Sequence, residues 1–128
     1  MTNLLGNTRK PDITFYKNGR IDITARVAKA LELSEGDVID VAMERHEYLL
    51  YIKYHHDNVV GRHEAQCRET KRGLRKCNNI RTYSKRLTDA ILQASGTDLI
   101  ARLPVGAVVQ LESGITAIPI ITRNPLSS

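Results

Sequence analysis

The sequence predicts a mostly β domain with two short helices, built as tandem hairpin–helix–hairpin halves that close a small pseudo-twofold β-barrel. Three observations carry this expectation. Three-residue turns ending in Gly recur at Lys17-Asn18-Gly19, Lys71-Arg72-Gly73 and Glu112-Ser113-Gly114. A short apolar-periodic segment follows a hydroxyl residue twice, at Thr24 and at Ser84. A shift of sixty positions then superposes Thr24 on Ser84, Arg26 on Arg86, Val27 on Leu87, Ala30 on Ala90, Leu31 on Ile91 and Gly36 on Gly96.

Each element has a local reason. A three-residue hairpin loop needs a left-handed last residue, where Gly has no steric penalty. In the first hairpin it sets Phe15 opposite Ile21 and Ile13 opposite Ile23, so four apolar side chains share one face. A two-residue turn would set Phe15 against Asp22, and a slip of one residue moves every side chain to the wrong face. Thr24 then caps a helix over about 25–33, with Val27, Ala30 and Leu31 inward and Gly36 ending it. Strands at 38–41 and 48–54 form a second hairpin. In the second half Ser84 caps a helix over about 85–94. The strand with Leu99, Ala101 and Leu103 matches Ile39, Val41 and Met43, and the last hairpin pairs Leu111 with Ile115 and Val109 with Ala117. The hairpins before the helices align at a shift of fifty-four, Gly19 on Gly73, so the second return strand is six residues longer. One such unit has too little core to stand alone, whereas two can close a barrel without a free edge.

The 128 residues read as one domain: a tail at 1–11, a first repeat at 12–56, a second repeat at 57–122 with an extended basic hairpin at 62–84, and a tail at 123–128. The core must be aliphatic, since the chain has no Trp and one Phe. No apolar run approaches the roughly 18 residues of a membrane span. Two cysteines do not make a disulfide framework. The expected location is cytoplasmic, with no membrane association.

Charge is uneven along the chain, whose net charge is +5. Residues 62–86 hold Arg62, Arg68, Lys71, Arg72, Arg75, Lys76, Arg81, Lys85 and Arg86 against Glu64 and Glu69 alone. Clustered cations gain affinity for nucleic acid by releasing its counterions. Arg68, Lys71, Arg72, Arg75, Lys76, Arg81, Lys85 and Arg86 are therefore the expected phosphate-binding residues. An acidic protein partner would use the same patch.

From Gly19-Arg20-Ile21-Asp22-Ile23-Thr24 through Leu31-Glu32-Leu33-Ser34-Glu35-Gly36-Asp37 and Val38-Ile39-Asp40-Val41, the first half resembles the AbrB-type swapped-hairpin family. The resemblance covers residues 13–53. It implies a barrel of two interleaved halves, here supplied by one chain and related to double-psi barrels. It also implies operator binding as in transition-state regulators and antitoxins, with Arg20 as the carried-over DNA contact. Thr24 stands where the family usually has Pro, Glu32 where it has Gly, and Ala28 where it often has a DNA-contacting Arg.

Cys67 and Cys77 are symmetric about Arg72, which sets them opposite each other if the turn is 71–73. Paired free thiols, a disulfide, or zinc shared with His63 and His55 or His56 are all compatible with that placement, and free thiols without metal are expected. His55-His56 reads as an exposed turn, and Asp37 is expected to hold backbone amides. No nucleophile motif, phosphate-cradling loop or acid–base pair is present, so neither an enzyme nor a cofactor is expected. Tyr48, Tyr51 and Tyr54 read as core fillers, while Tyr83 adjoins Lys85 and Arg86. The leading functional reading is a DNA-binding regulator or antitoxin-like protein that grips duplex phosphates with the basic hairpin. A single-strand binder would need Tyr83 exposed among the cations. A protein-interaction or structural module of phage or mobile-element type would dock the hairpin on an acidic partner. A homodimer is compatible with all three.

Overall fold

The computed structural model describes residues 12–72 and 75–122, with the side chains of 71, 72 and 75–78 outside that description. Both predicted tails lie outside the described residues. The elements run β1 (Ile13–Tyr16), β2 (Arg20–Ile23), α1 (Ala25–Leu31), β3 (Val38–Glu44), β4 (Glu47–Tyr54), β5 (Arg68–Arg72), β6 (Arg75–Tyr83), α2 (Lys85–Ser95), β7 (Ile100–Leu103), β8 (Val109–Gln110) and β9 (Thr116–Ile120). They form two antiparallel sheets, one of five strands in the order β5-β6-β2-β1-β7 and one of four in the order β3-β4-β9-β8. Each sheet takes strands from both halves of the chain.

The mostly β fold with two helices is as expected, but the sheets do not close into a barrel. Isolated bridges at Val38–Gln66 and Val105–Ile120 join their ends. At the first seam Val38 alone bridges to Gln66, without a ladder on either side. At the second, Pro104 has no N–H to extend a ladder. Among the described residues, no helix is long and apolar enough to cross a membrane.

The first hairpin has the predicted register, with Phe15 against Ile21 and Ile13 against Ile23. Gly19 closes it at φ 101°, and its N–H donates to Tyr16 O at 2.9 Å. The last hairpin also holds, with Val109 against Ala117 and Leu111 N–H donating to Ile115 O. The basic hairpin differs. Lys71 pairs with Lys76 and Arg72 with Arg75, so two residues, not three, separate its strands. An irregularity between Glu69 and Lys71 then returns the pairing to Arg68 against Arg81. Gly73 itself lies outside the described residues.

The helices keep the sixty-residue shift on their inner faces, though not at every predicted position. Val27, Ala28 and Leu31 are buried in α1, and Thr88, Ile91 and Leu92 in α2. Ala30 and Ala90, both expected inside, are exposed. Gly36 does not end α1. The helix stops at Leu31 with Glu32 left-handed at φ 57°, and Leu33 N–H reaches back to Ala28 O at 2.8 Å. This six-to-one bond with an apolar contact is a Schellman cap, which turns Leu33 into the core. Gly96 ends α2 the same way, Thr97 N–H donating to Leu92 O at 3.1 Å. The caps therefore match Glu32 with Gly96, and α2 runs one turn longer. The strand correspondence fails with it: Met43 is 66% exposed where Leu103 is buried, and Leu99 is 63% exposed where Ile39 is buried.

The core lies between the sheets. Ile13, Phe15, Ile21, Ile23, Ile80, Ala101 and Leu103 meet Ile39, Leu50, Ile118 and Ile120, with the helix faces alongside. It is aliphatic except for Phe15 and Cys67, as composition required.

Candidate nucleic-acid interface

With the apolar residues of the five-stranded sheet turned inward, their alternates form its outer face. Register aligns these alternates into rows, because directly paired residues point the same way. One row crosses all five strands as Arg68, Arg81, Asp22, Thr14 and Arg102. The neighbouring row carries Tyr83 opposite Arg20, then Tyr16 opposite Ile100. Tyr83 is 56% exposed. The Arg20 guanidinium carbon lies 4.2 Å from the centre of the Tyr16 ring.

The basic hairpin extends this face outward. Three cross-strand pairs in it are cation against cation: Arg68 with Arg81, Lys71 with Lys76, and Arg72 with Arg75. Like charges directly opposite destabilise a ladder, so an anionic partner would relieve this arrangement. The side chains of Lys71, Arg72, Arg75 and Lys76 lie outside the described ones, and register alone sets their pairing.

The stripe is less bare than its sequence implied. Asp22 accepts from Arg20 Nη2 at 2.9 Å through one oxygen and from Arg81 Nε at 2.8 Å through the other. Glu64 accepts from Arg86 Nε at 3.0 Å and from Ser84 Oγ at 2.6 Å. Those two bonds, Arg86's foremost, hold the Glu64 carboxyl below its usual range. Lys85 Nζ lies 3.1 Å from Asp89 Oδ1. Carboxylates therefore answer Arg20 and Lys85 from their own elements, and Arg81 and Arg86 from distant segments. Among the described residues, Arg68 and Arg102 have no ion pair.

The cysteine expectation does not survive the register. Lys71 pairs with Lys76 and Glu69 with Ile80, a register in which Cys77 does not fall opposite Cys67. Cys67 is buried, and burial, with Asp37 adding to it, pushes its thiol up to about 12. Such a thiol is unreactive near neutral pH. His55 and His56 lie in an exposed turn, as expected, and His56 also binds Asp37. Asp37, 1% exposed, accepts from Ser34 N and His56 N at 2.7 Å and contacts His56 Nδ1 at 2.9 Å. The predicted amide-holding role of Asp37 is thus observed. His63 Nε2 faces Val60 O at 3.2 Å. Among the described residues, no three His, Cys, Asp or Glu side chains are grouped to hold a metal.

Sequence reasoning missed Tyr16 and Arg102 as members of the face. Arg102 alternates with buried Ala101 and Leu103, which marks it as outward, but only the β1–β7 pairing joins it to the others. No family model matches the chain, and no curated protein or solved structure matches it.

Proposed function

We propose that this protein binds nucleic acid, by association rather than catalysis, through the β5–β6 ribbon and the outer face of the five-stranded sheet. The observation that carries the reading is the set of three like-charged pairs in one ribbon, with Arg102 at the far end of the same sheet row. Their mutual repulsion is relieved when phosphates replace small counterions. A two-stranded ribbon also fits a major groove, which accommodates the regulator reading. The mixing of both chain halves in each sheet supports a further proposal, a swapped-hairpin architecture assembled within one chain.

The test is affinity for duplex and single-stranded DNA as salt is raised. Binding should weaken steeply, with a log–log slope of about one unit per phosphate contact. Changing Lys71, Arg72, Arg75 and Lys76 together to Ala should lower that slope by about 3–4 units without lowering Tm. Parent-like binding by the quadruple variant would remove the ribbon from the site. No binding to either DNA at low salt would end the nucleic-acid reading and leave an acidic protein as the ribbon's partner.

A further inference from the structure

We propose that Tyr83, with the Arg20–Tyr16 stack beside it, is a base-stacking subsite for single-stranded nucleic acid. This rests on the nucleic-acid reading above and names the strand state that the face accepts. Three features converge on it. Tyr83 is the most exposed tyrosine among the described residues, on a sheet face rather than in a loop. Arg20 is its direct cross-strand partner. The Arg20 guanidinium lies over Tyr16 and is fixed at its edge by Asp22, 2.9 Å from Nη2 and 3.2 Å from Nε. A planar group held from two sides loses little freedom when a base stacks on it. Aromatic rings and arginine planes are the surfaces on which unpaired bases stack.

The spacing suits a single strand. Tyr83 and Tyr16 stand two strands apart, about 10 Å, with Arg20 between them. The row of Arg68, Arg81 and Arg102 runs two residues away along the strands, about 7 Å. Bases over the tyrosine row would therefore leave their phosphates near the arginine row. Asp22 does not close the face to phosphate, since each of its oxygens already accepts from an arginine. A duplex cannot use the subsite without unstacking, because its base faces are covered by neighbouring pairs.

The experiment compares three probes at low salt: a dT oligomer of about ten nucleotides, an abasic deoxyribose-phosphate chain of equal length, and a duplex. The dT oligomer should bind at least about fivefold more tightly than the abasic chain. Tyr83→Leu should erase that preference while leaving abasic affinity unchanged, and Tyr83→Phe should keep it. Equal binding of dT and abasic chains, or a preference that survives Tyr83→Leu, would overturn the subsite while leaving phosphate binding intact. Failure of all three probes would overturn the nucleic-acid reading, and this inference with it. Thermal melts of both variants check that the fold is retained.

Discussion

The two hairpin–helix units solve the same local problem with different residues. Both helices end in a Schellman cap, yet α2 ends on Gly96 and α1 on Glu32. Both follow a hydroxyl residue, yet only Ser84 caps its own helix, accepting from Leu87 N at 3.2 Å. The Thr24 hydroxyl instead donates to Asp12 O, and Ala25 N, at the start of α1, is bound by Asn79 Oδ1 from β6 at 2.9 Å. The second unit is thus shaped by its own sequence and the first by its neighbours. A non-capping Thr persists because Asp12 and Asn79 hold the start of α1, and a left-handed Glu persists because Leu33 is buried just beyond it.

The joints after the two helices should differ most. Asp37, buried after α1, satisfies Ser34 N and His56 N, whereas Asp98, after α2, is exposed. Asp37→Ala should cost about 3 kcal/mol by stranding those amides. Asp98→Ala should stay within about 0.5 kcal/mol. Urea unfolding of the two variants checks both.

The start of the helices should separate next. Ser84→Ala removes a local cap and should cost about 1–2 kcal/mol. At α1 the comparable loss, about 1 kcal/mol, should come from Asn79→Ala, fifty-four residues away from the helix start. If Asn79→Ala is silent in urea unfolding, α1 does not depend on β6 as described.

The C-terminal caps should respond with opposite signs. A Cβ in the left-handed region costs about 1–2 kcal/mol. Glu32→Gly should therefore raise stability by about 1 kcal/mol, and Gly96→Ala should lower it by a similar amount. Equal responses would mean that the caps are not equivalent.

The smallest effect concerns pH and belongs to the first unit alone. The bond to Asp37, with the charge of Asp57 adding to it, raises the His56 pKa above its ordinary 6.5. A raised folded value means that the protonated ring favours the folded state. That contribution is complete below about pH 6.5 and fades as pH climbs through the higher folded value. Tm should fall slightly from about pH 6 to about pH 8, and His56→Gln should flatten that slope.

Legibility in the sequence followed the apolar pattern. The first hairpin's register was readable because only one pairing buries Phe15, Ile13, Ile21 and Ile23 together. The basic hairpin offers no such guide: Thr70, Lys71, Arg72, Arg75 and Lys76, which flank its turn, are cationic or polar, and a strand without an apolar face does not fix its own register. The Gly rule therefore misplaced the turn, and the cysteine pairing fell with it. The end of α1 was misread because Gly36 is a stronger local stop than Glu32, while the need to bury Leu33 decided the matter. At the site, the cations were visible in composition. Their answering carboxylates, Asp22 for Arg81 and Glu64 for Arg86, come from segments that no local pattern links to them.

The mixing of both chain halves within each sheet has a consequence for biosynthesis. β1 sits between β2 and β7, and Ile13 finds its partner Leu103 only about 90 residues later. At roughly 5–20 residues per second, the ribosome takes about 5–18 s to deliver that partner. Through that interval the first-half strands have open edges, and open edges template association with other chains. Slow codons or starvation in the second half therefore lengthen an aggregation-prone stage, and a chain truncated before Ile100 is a substrate for chaperones or proteases.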